Sequence, residues 1–176
     1  MEDRLIRCHD WLQQGDIFAS VPCPDPILGR GRVRLETVDV PAILVTADCQ
    51  IDKPKAERLH FAPIRPISRL HPSDLAAARR DRLDPYDFLR IVMGDGAEVF
   101  CRPGETFWLP IEYFAAPTWI EDENGDKLRC LDVERLGTLP TERLELFKSK
   151  LNVFWTGRRP IIEPPPQLFD DVPGDA

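Results

Sequence analysis

Apolar and polar positions along this chain alternate between two periods. In the first segment, EDRLIRCHDWLQQG, Leu5, Cys8 and Leu12 fall on one helical face with Ile6 and Trp11 beside it, and Gly15 follows as a stop. That spacing predicts an N-terminal helix. GDIFASVP reads as a short strand, whereas PCPDPILGR, Pro22 to Arg30, has three prolines and a glycine and reads as a loop. Val33, Leu35 and Thr37 alternate with Arg34 and Glu36, as in a half-buried strand. After Pro41, AILVT is a continuous apolar run of the length of a fully buried strand, and LHFAPI is a second such run.

Further along, Ser73 precedes DLAAARRDRL, with Asp74 in the first turn, which predicts an inserted helix closed by Asp84 and Pro85. YDFLRIV and AEVFC form a strand pair through the turn MGDG, and TFWLPIEYF and TWI follow as strands. Asn124-Gly125, flanked by WIEDE and KLRCLDV, is the strongest hairpin signal. Thr141 then caps ERLELFKSKLNVFW, a C-terminal amphipathic helix with Leu144, Phe147, Leu151 and Phe154 on one stripe and Gly157 as its stop. The expected fold is α+β, mainly β: a small, strongly bent sheet with an N-terminal helix, one inserted helix and the C-terminal helix. Residues 1–157 make one domain. Residues 158–176 carry five prolines and three late aspartates, and read as a disordered acidic tail too short of apolar groups to repay ordering.

Composition narrows the function classes. The 176 residues are 43% hydrophobic and 30% charged, ordinary values for one globular domain with a tail. Lys and Arg total 23 against 30 Asp and Glu, a formal charge of −7. Attraction to nucleic acid or anionic lipid must then come from a local patch. No apolar run approaches the ~18 residues of a membrane span, and Met1 to Leu12 has no signal-peptide core, which points to a cytoplasmic protein without membrane contact. Five scattered cysteines without CxxC spacing, and three histidines that do not cluster with them, argue for reduced thiols and against a metal site. No cofactor is expected.

The order of elements resembles the MazF/PemK family of toxins with SH3-like barrels. Three stretches carry the resemblance: Gly15-Asp16-Ile17-Phe18 is similar to the family's GDI strand, Pro41-Ala42-Ile43-Leu44-Val45 to its PAVVL strand, and LELFKSKLNVFWTG to its C-terminal helix. His60 to Ile64, with Pro63, would be the next strand. The resemblance implies a barrel that pairs into a homodimer, binds single-stranded RNA and is met by an acidic antitoxin-like peptide. It also implies metal-independent cleavage, in which the ribose 2′-hydroxyl attacks the adjacent phosphate. That chemistry needs a cation at the phosphate and a proton carrier. The family takes them from an Arg before the PAVVL proline and from a Thr or Ser at the end of the next strand. This chain departs at both places, with Val40 at the first and Arg65 or a neighbour at the second.

Two groups of residues could restore chemistry. Arg65, Ser68 and His60 could form a displaced catalytic site, with Arg69 beside it and Arg30, Arg32 and Arg34 along the loop that borders the family's RNA groove. These arginines read more readily as solvated loop charges. Asp48-Cys49, after the AILVT strand, is a thiol site if a base forms the thiolate, and otherwise a turn carboxylate beside a small hydrophobe. Phe107, Trp108, Tyr113, Phe114 and Trp119 read as core or subunit-interface residues more readily than as base-stacking platforms. The functional expectation is a divergent toxin-fold protein with a degenerate ribonuclease site, acting as a nucleic-acid- or protein-binding regulatory module. The alternative is an active endoribonuclease with its site relocated around Arg65. Pro164 to Phe169 of the tail could dock on another chain or fill this protein's own groove.

Overall fold

The computed structural model describes residues 4–29, 32–53, 56–83, 87–114, 118–131 and 133–156, with the side chains of 25–35 outside that description. In chain order the elements are β1 (Asp16–Gly29), β2 (Arg32–Leu44), α1 (Asp48–Ile51), β3 (Arg58–Pro66), a 3-10 turn (Ile67–Arg69), α2 (Pro72–Ala78), β4 (Leu89–Val92) and β5 (Glu98–Cys101). They continue with β6 (Phe107–Pro110), a second 3-10 turn (Ile111–Tyr113), β7 (Thr118–Glu121), β8 (Lys127–Cys130), β9 (Arg135–Thr138) and α3 (Thr141–Thr156). The protein is mainly β, a strongly curled antiparallel half-barrel sheet with three helices. Its strands run β4-β5-β3-β2-β1-β9. Strand β3 is the hinge of the curl: its start pairs with β6 and its end with β5, while β2 holds its other edge.

The apolar runs bury both faces of this sheet. Phe18, Ala42, Leu44, Leu59 and Phe61 enter one cluster with Leu109, Ile111 and Phe114, whereas Ile17, Ile43, Val45, Ala62 and Ile64 enter a second with Phe147 and Leu151 of α3. Successive side chains on a strand point to opposite faces, so a run such as Ala42-Ile43-Leu44-Val45 must be apolar throughout. A smaller cluster, Ile67, Ala78, Phe88 and Phe100, lies beneath α2. On α3, Phe147 and Leu151 are buried as the stripe predicts, but Phe154 is 48% exposed. Arg143 fixes the helix from its polar flank, donating to Asp81 at 2.7 and 3.1 Å and to the carbonyl of Arg90.

The β4–β5 pair and the hairpin at Asn124-Gly125 form as expected, with Gly125 at φ +81° closing the turn between β7 and β8. The inserted helix forms but ends at Ala78, short of the expected stop at Asp84 and Pro85, which lie outside the described residues. The cap of α2 is His71, whose Nδ1 accepts from the Ser73 N–H, rather than Ser73 itself. Residues 158–176 lie outside the described residues.

Three local expectations are corrected. First, residues 4–13 are not a helix. Their backbone is taken by partners distant in sequence: Leu5 N–H donates to Val92, Ile6 and Thr138 exchange bonds at 3.0 Å, and Leu12 N–H donates to Arg129. The Arg135 guanidinium also collects the carbonyls of His9, Asp10 and Trp11 while pairing with buried Asp16 at 2.9 Å. Tertiary bonds override the helical spacing. Second, Pro22 to Gly29 is not a loop but the outer half of β1, in register with β2 through Gly29 opposite Arg32. Pro22, Pro24 and Pro26 recur every second residue, so their missing N–H groups all fall on one edge; β9 reaches only Asp16 to Phe18, and among the described residues no strand pairs with that edge beyond it. Third, Ile111 to Tyr113 turns as a 3-10 segment after β6, and β9 forms where the sequence pattern predicts no strand.

The clasp on the N-terminal segment is tight at Gly137, where an added Cβ would lie 2.9 Å from the Ile6 carbonyl oxygen and from Leu5 Cβ. Gly137→Ala should therefore lower unfolding free energy by about 1–3 kcal/mol, a typical overpacking penalty. Urea unfolding measures that loss. Hydrogen exchange should quicken at the Leu5 and Ile6 amides before the β2–β3 ladder opens.

Candidate functional site

Strand β3 divides the chemistry of the protein in two. Arg65 and His60 lie five residues apart, an odd separation, which places them on opposite faces of a regular strand and about 16 Å apart along it. The cores agree: Phe61 belongs to one cluster, and Ala62 to the other. The displaced catalytic set of Arg65, Ser68 and His60 is therefore not assembled.

On the first face, Arg65 and Arg69 line a cleft of about 620 Å³ together with Cys23, Val38, Asp39 and Val40. This brings the two cations to the position where Val40 stands, as their spacing around a strand end allows. Arg65 is not free, however: Nη1 donates to Glu105 Oε2 at 2.5 Å, and Glu105 also approaches Arg102 at 3.6 Å. Both partners are partly exposed, so the pair is a solvated one that a phosphate could displace at small cost. Ser68, in the 3-10 turn between the two arginines, is exposed and is not among the residues lining the cleft. Arg32 and Arg34 lie in β2 with their side chains outside the described residues, and Arg30 is wholly outside them. Cys23 and Asp39 escape a sequence reading because the prolines of outer β1 suggest a loop, whereas the long β1–β2 hairpin pairs Cys23 with Val38 and sets both residues at the cleft.

On the α3 face, His60 lines a separate cavity of about 320 Å³ with Gln14, Val45, Thr46, Ala47, Gln50, Leu151 and Trp155. The His60 N–H donates to Thr46 Oγ1 at 2.7 Å, fixing the backbone, and Gln14 Nε2 donates to the Val45 carbonyl at 2.7 Å. Burial, with a contribution from the Arg58 charge, holds the His60 imidazole below its ordinary pKa of 6.5. It is a neutral ring at pH 7. Across the strand pair His60 faces Trp108, and the Arg58 guanidinium lies 4.2 Å from that indole's centre.

Cys23 lines the Arg65 cleft, whereas Asp48 and Cys49 are among the lining residues of neither place. Asp48 opens α1 and its Oδ1 accepts the Gln14 backbone N–H at 2.6 Å, a structural use of the carboxylate. Cys49 is exposed beside it, with no base bonded to it among the described residues. Cys101 is buried and its thiol is pushed up to about 12 by burial, so it stays protonated. Among the described residues no group of three or more His, Cys, Asp or Glu side chains could hold a metal ion, and no helix is long and apolar enough to cross a membrane. Of the aromatic run, Phe107 and Phe114 pack in the core, Trp119 lies beside the Arg129 guanidinium at 4.8 Å, and Trp108 and Tyr113 are exposed.

The His60 ring should titrate with a midpoint below 6.5, read from its Cε1–H resonance. Because the unfolded chain takes up that proton first, the folded state should lose stability as the pH falls through 6.5, until its own midpoint is passed. Asp16 and Asp52, whose carboxyls burial pushes up, act with the opposite sign. The His60 contribution is therefore read as the difference from His60→Gln, which should lack it. No protein-family model matches the chain, and no curated protein matches it in sequence.

Proposed function

We propose that this protein is a divergent MazF/PemK-like, SH3-like barrel that binds single-stranded RNA without cutting it and acts as a regulatory module in the cytoplasm. The observation that carries this reading is the cleft in which Arg65 and Arg69 flank Val40. Two guanidiniums on a concave surface suit phosphate oxygens, and Arg65 can exchange Glu105 for one. Cleavage demands more than binding. A cation must meet the developing charge on phosphorus, and a proton must leave the 2′-hydroxyl while another reaches the departing oxygen. Among the described residues lining the cleft there is no imidazole and no hydroxyl side chain, and His60 faces the other way. Losing one electrostatic donor typically costs about 3–4 kcal/mol of transition-state stabilisation. Val40 supplies none.

One feature favours the second reading, an endoribonuclease with a relocated site: Asp39 shares the cleft with both arginines and could take the 2′-hydroxyl proton. A homodimer and an acidic peptide partner belong to the proposal through the family resemblance. Trp108 and Tyr113 are among the exposed apolar side chains that such an association could cover.

Purified protein incubated with a single-stranded oligoribonucleotide in the presence of a chelator separates the two readings. The binding module leaves the RNA intact while retaining it in a filter assay. Arg65→Ala combined with Arg69→Ala should weaken binding by about tenfold or more and flatten the salt dependence of log K by about 0.7 for each phosphate no longer neutralised. Cleavage abolished by Asp39→Asn or Arg65→Ala, with folding unchanged, would establish the second reading instead.

A further inference from the structure

The cavity on the α3 face has a composition the cleft lacks. Among the described residues that line it, none is Lys, Arg, Asp or Glu. Its polar side chains are instead two carboxamides, a hydroxyl and an imidazole. Gln14 is almost buried, and with Nε2 committed to the Val45 carbonyl its Oε1 has no partner among the described residues, although it is not sealed from solvent. Thr46 Oγ1 accepts from the His60 N–H, which leaves its own hydrogen free to donate. Gln50 is exposed on α1, and Trp155, 61% exposed near the end of α3, supplies an aromatic wall.

These groups select a ligand class. An anion would enter with no cation to meet it, and a cation would find no carboxylate. A purely apolar ligand would leave four hydrogen-bonding groups unpaired, at a cost on each. A neutral planar heterocycle with donors and acceptors on its edge satisfies both the amides and the indole face. We propose that this cavity is a nucleobase pocket, in which Trp155 stacks on the ring while Gln14, Thr46, Gln50 and His60 bond its edge. At about 320 Å³ it sits at the small end of ligand sites, sized for a base rather than a dinucleotide. Trp108, opposite His60 and backed by Arg58, continues the surface with a second aromatic ring and a cation. The pocket stands apart from the Arg65 cleft and does not depend on it.

The test titrates the whole 176-residue chain with adenosine and with uridine, using free ribose as the control, and follows the indole Nε1–H and His60 ring resonances. At least one nucleoside should give saturable shifts centred on Trp155 and His60, and ribose should give none. Trp155→Ala should weaken binding by about tenfold or more, the worth of one stacked base, with Trp155→Phe recovering part of it. Because Trp155 is exposed, the alanine variant should keep the parent's fold, checked by its amide spectrum. Gln50→Ala supplies a second variant away from the core and should also weaken binding. Arg65→Ala should leave nucleoside affinity unchanged, which separates failure of this pocket from failure of the cleft. Absence of saturable shifts, equal shifts with ribose, or full affinity in Trp155→Ala would overturn the proposal.

Discussion

Burial of the central strands on both faces is the constraint from which the rest of the protein follows. Strands β1, β2 and β3 each send alternate side chains into two separate clusters, one closed by β6 and its following turn and the other by α3. Where both faces are covered the run is apolar without interruption, as from Ile43 to Val45 and from Phe61 to Ala62, and the buried charge of Asp16 at the start of β1 is matched by Arg135. Polar chemistry is pushed to the strand ends. At the end of β3 it meets the outer part of the β1–β2 hairpin and makes the Arg65 cleft; at its start it meets α1 and the end of α3 and makes the His60 cavity. One strand therefore borders two cavities of different lining, one with two arginines and one with carboxamides and an imidazole.

The arginines show how an acidic chain can still present local positive charge. Arg129, Arg135 and Arg143 are used internally. Arg129 donates to the carbonyls of Lys53 and Ala56, Arg135 holds the N-terminal segment, and Arg143 holds α3 to the residue at the end of the α2 turn. A guanidinium suits this work because its planar fork can bond several carbonyls at once without losing its charge. Arg65 and Arg69 have no such internal duty beyond the exposed pair with Glu105. They are two cations on a concave surface.

Much of the architecture is legible from local pattern. The run AILVT, the turn at Asn124-Gly125 and the stripe through Phe147 and Leu151 each carry a local signal and take the expected strand, turn and helix, although Pro41 lies inside β2 rather than at its start and Gly157 lies outside the described residues. The departures share another cause: partners far away in sequence. No periodicity announces that Arg135 will capture three carbonyls of residues 9–11, or that the proline-rich half of β1 will pair with β2 while, among the described residues, no strand pairs with its other edge. The site is half legible. Arg65 and Arg69 do share a cleft, but grouping His60 with them neglects the period of two, which puts residues five apart on opposite sides of a strand. Gln14, Asp39 and Trp155 carry no local signal, because only the closing of the curl gives each of them a cavity to line.

Strand β3, on this account, keeps His60 and Arg65 in separate sites. A double-mutant cycle on binding of a single-stranded oligoribonucleotide tests it directly, with His60→Ala, Arg65→Ala and the pair compared at fixed salt. Groups this far apart without shared partners should contribute independently, so the two losses should add to within about 0.5 kcal/mol. A coupling of about 1–3 kcal/mol would mean that imidazole and guanidinium act on the same phosphate, and would contradict the account.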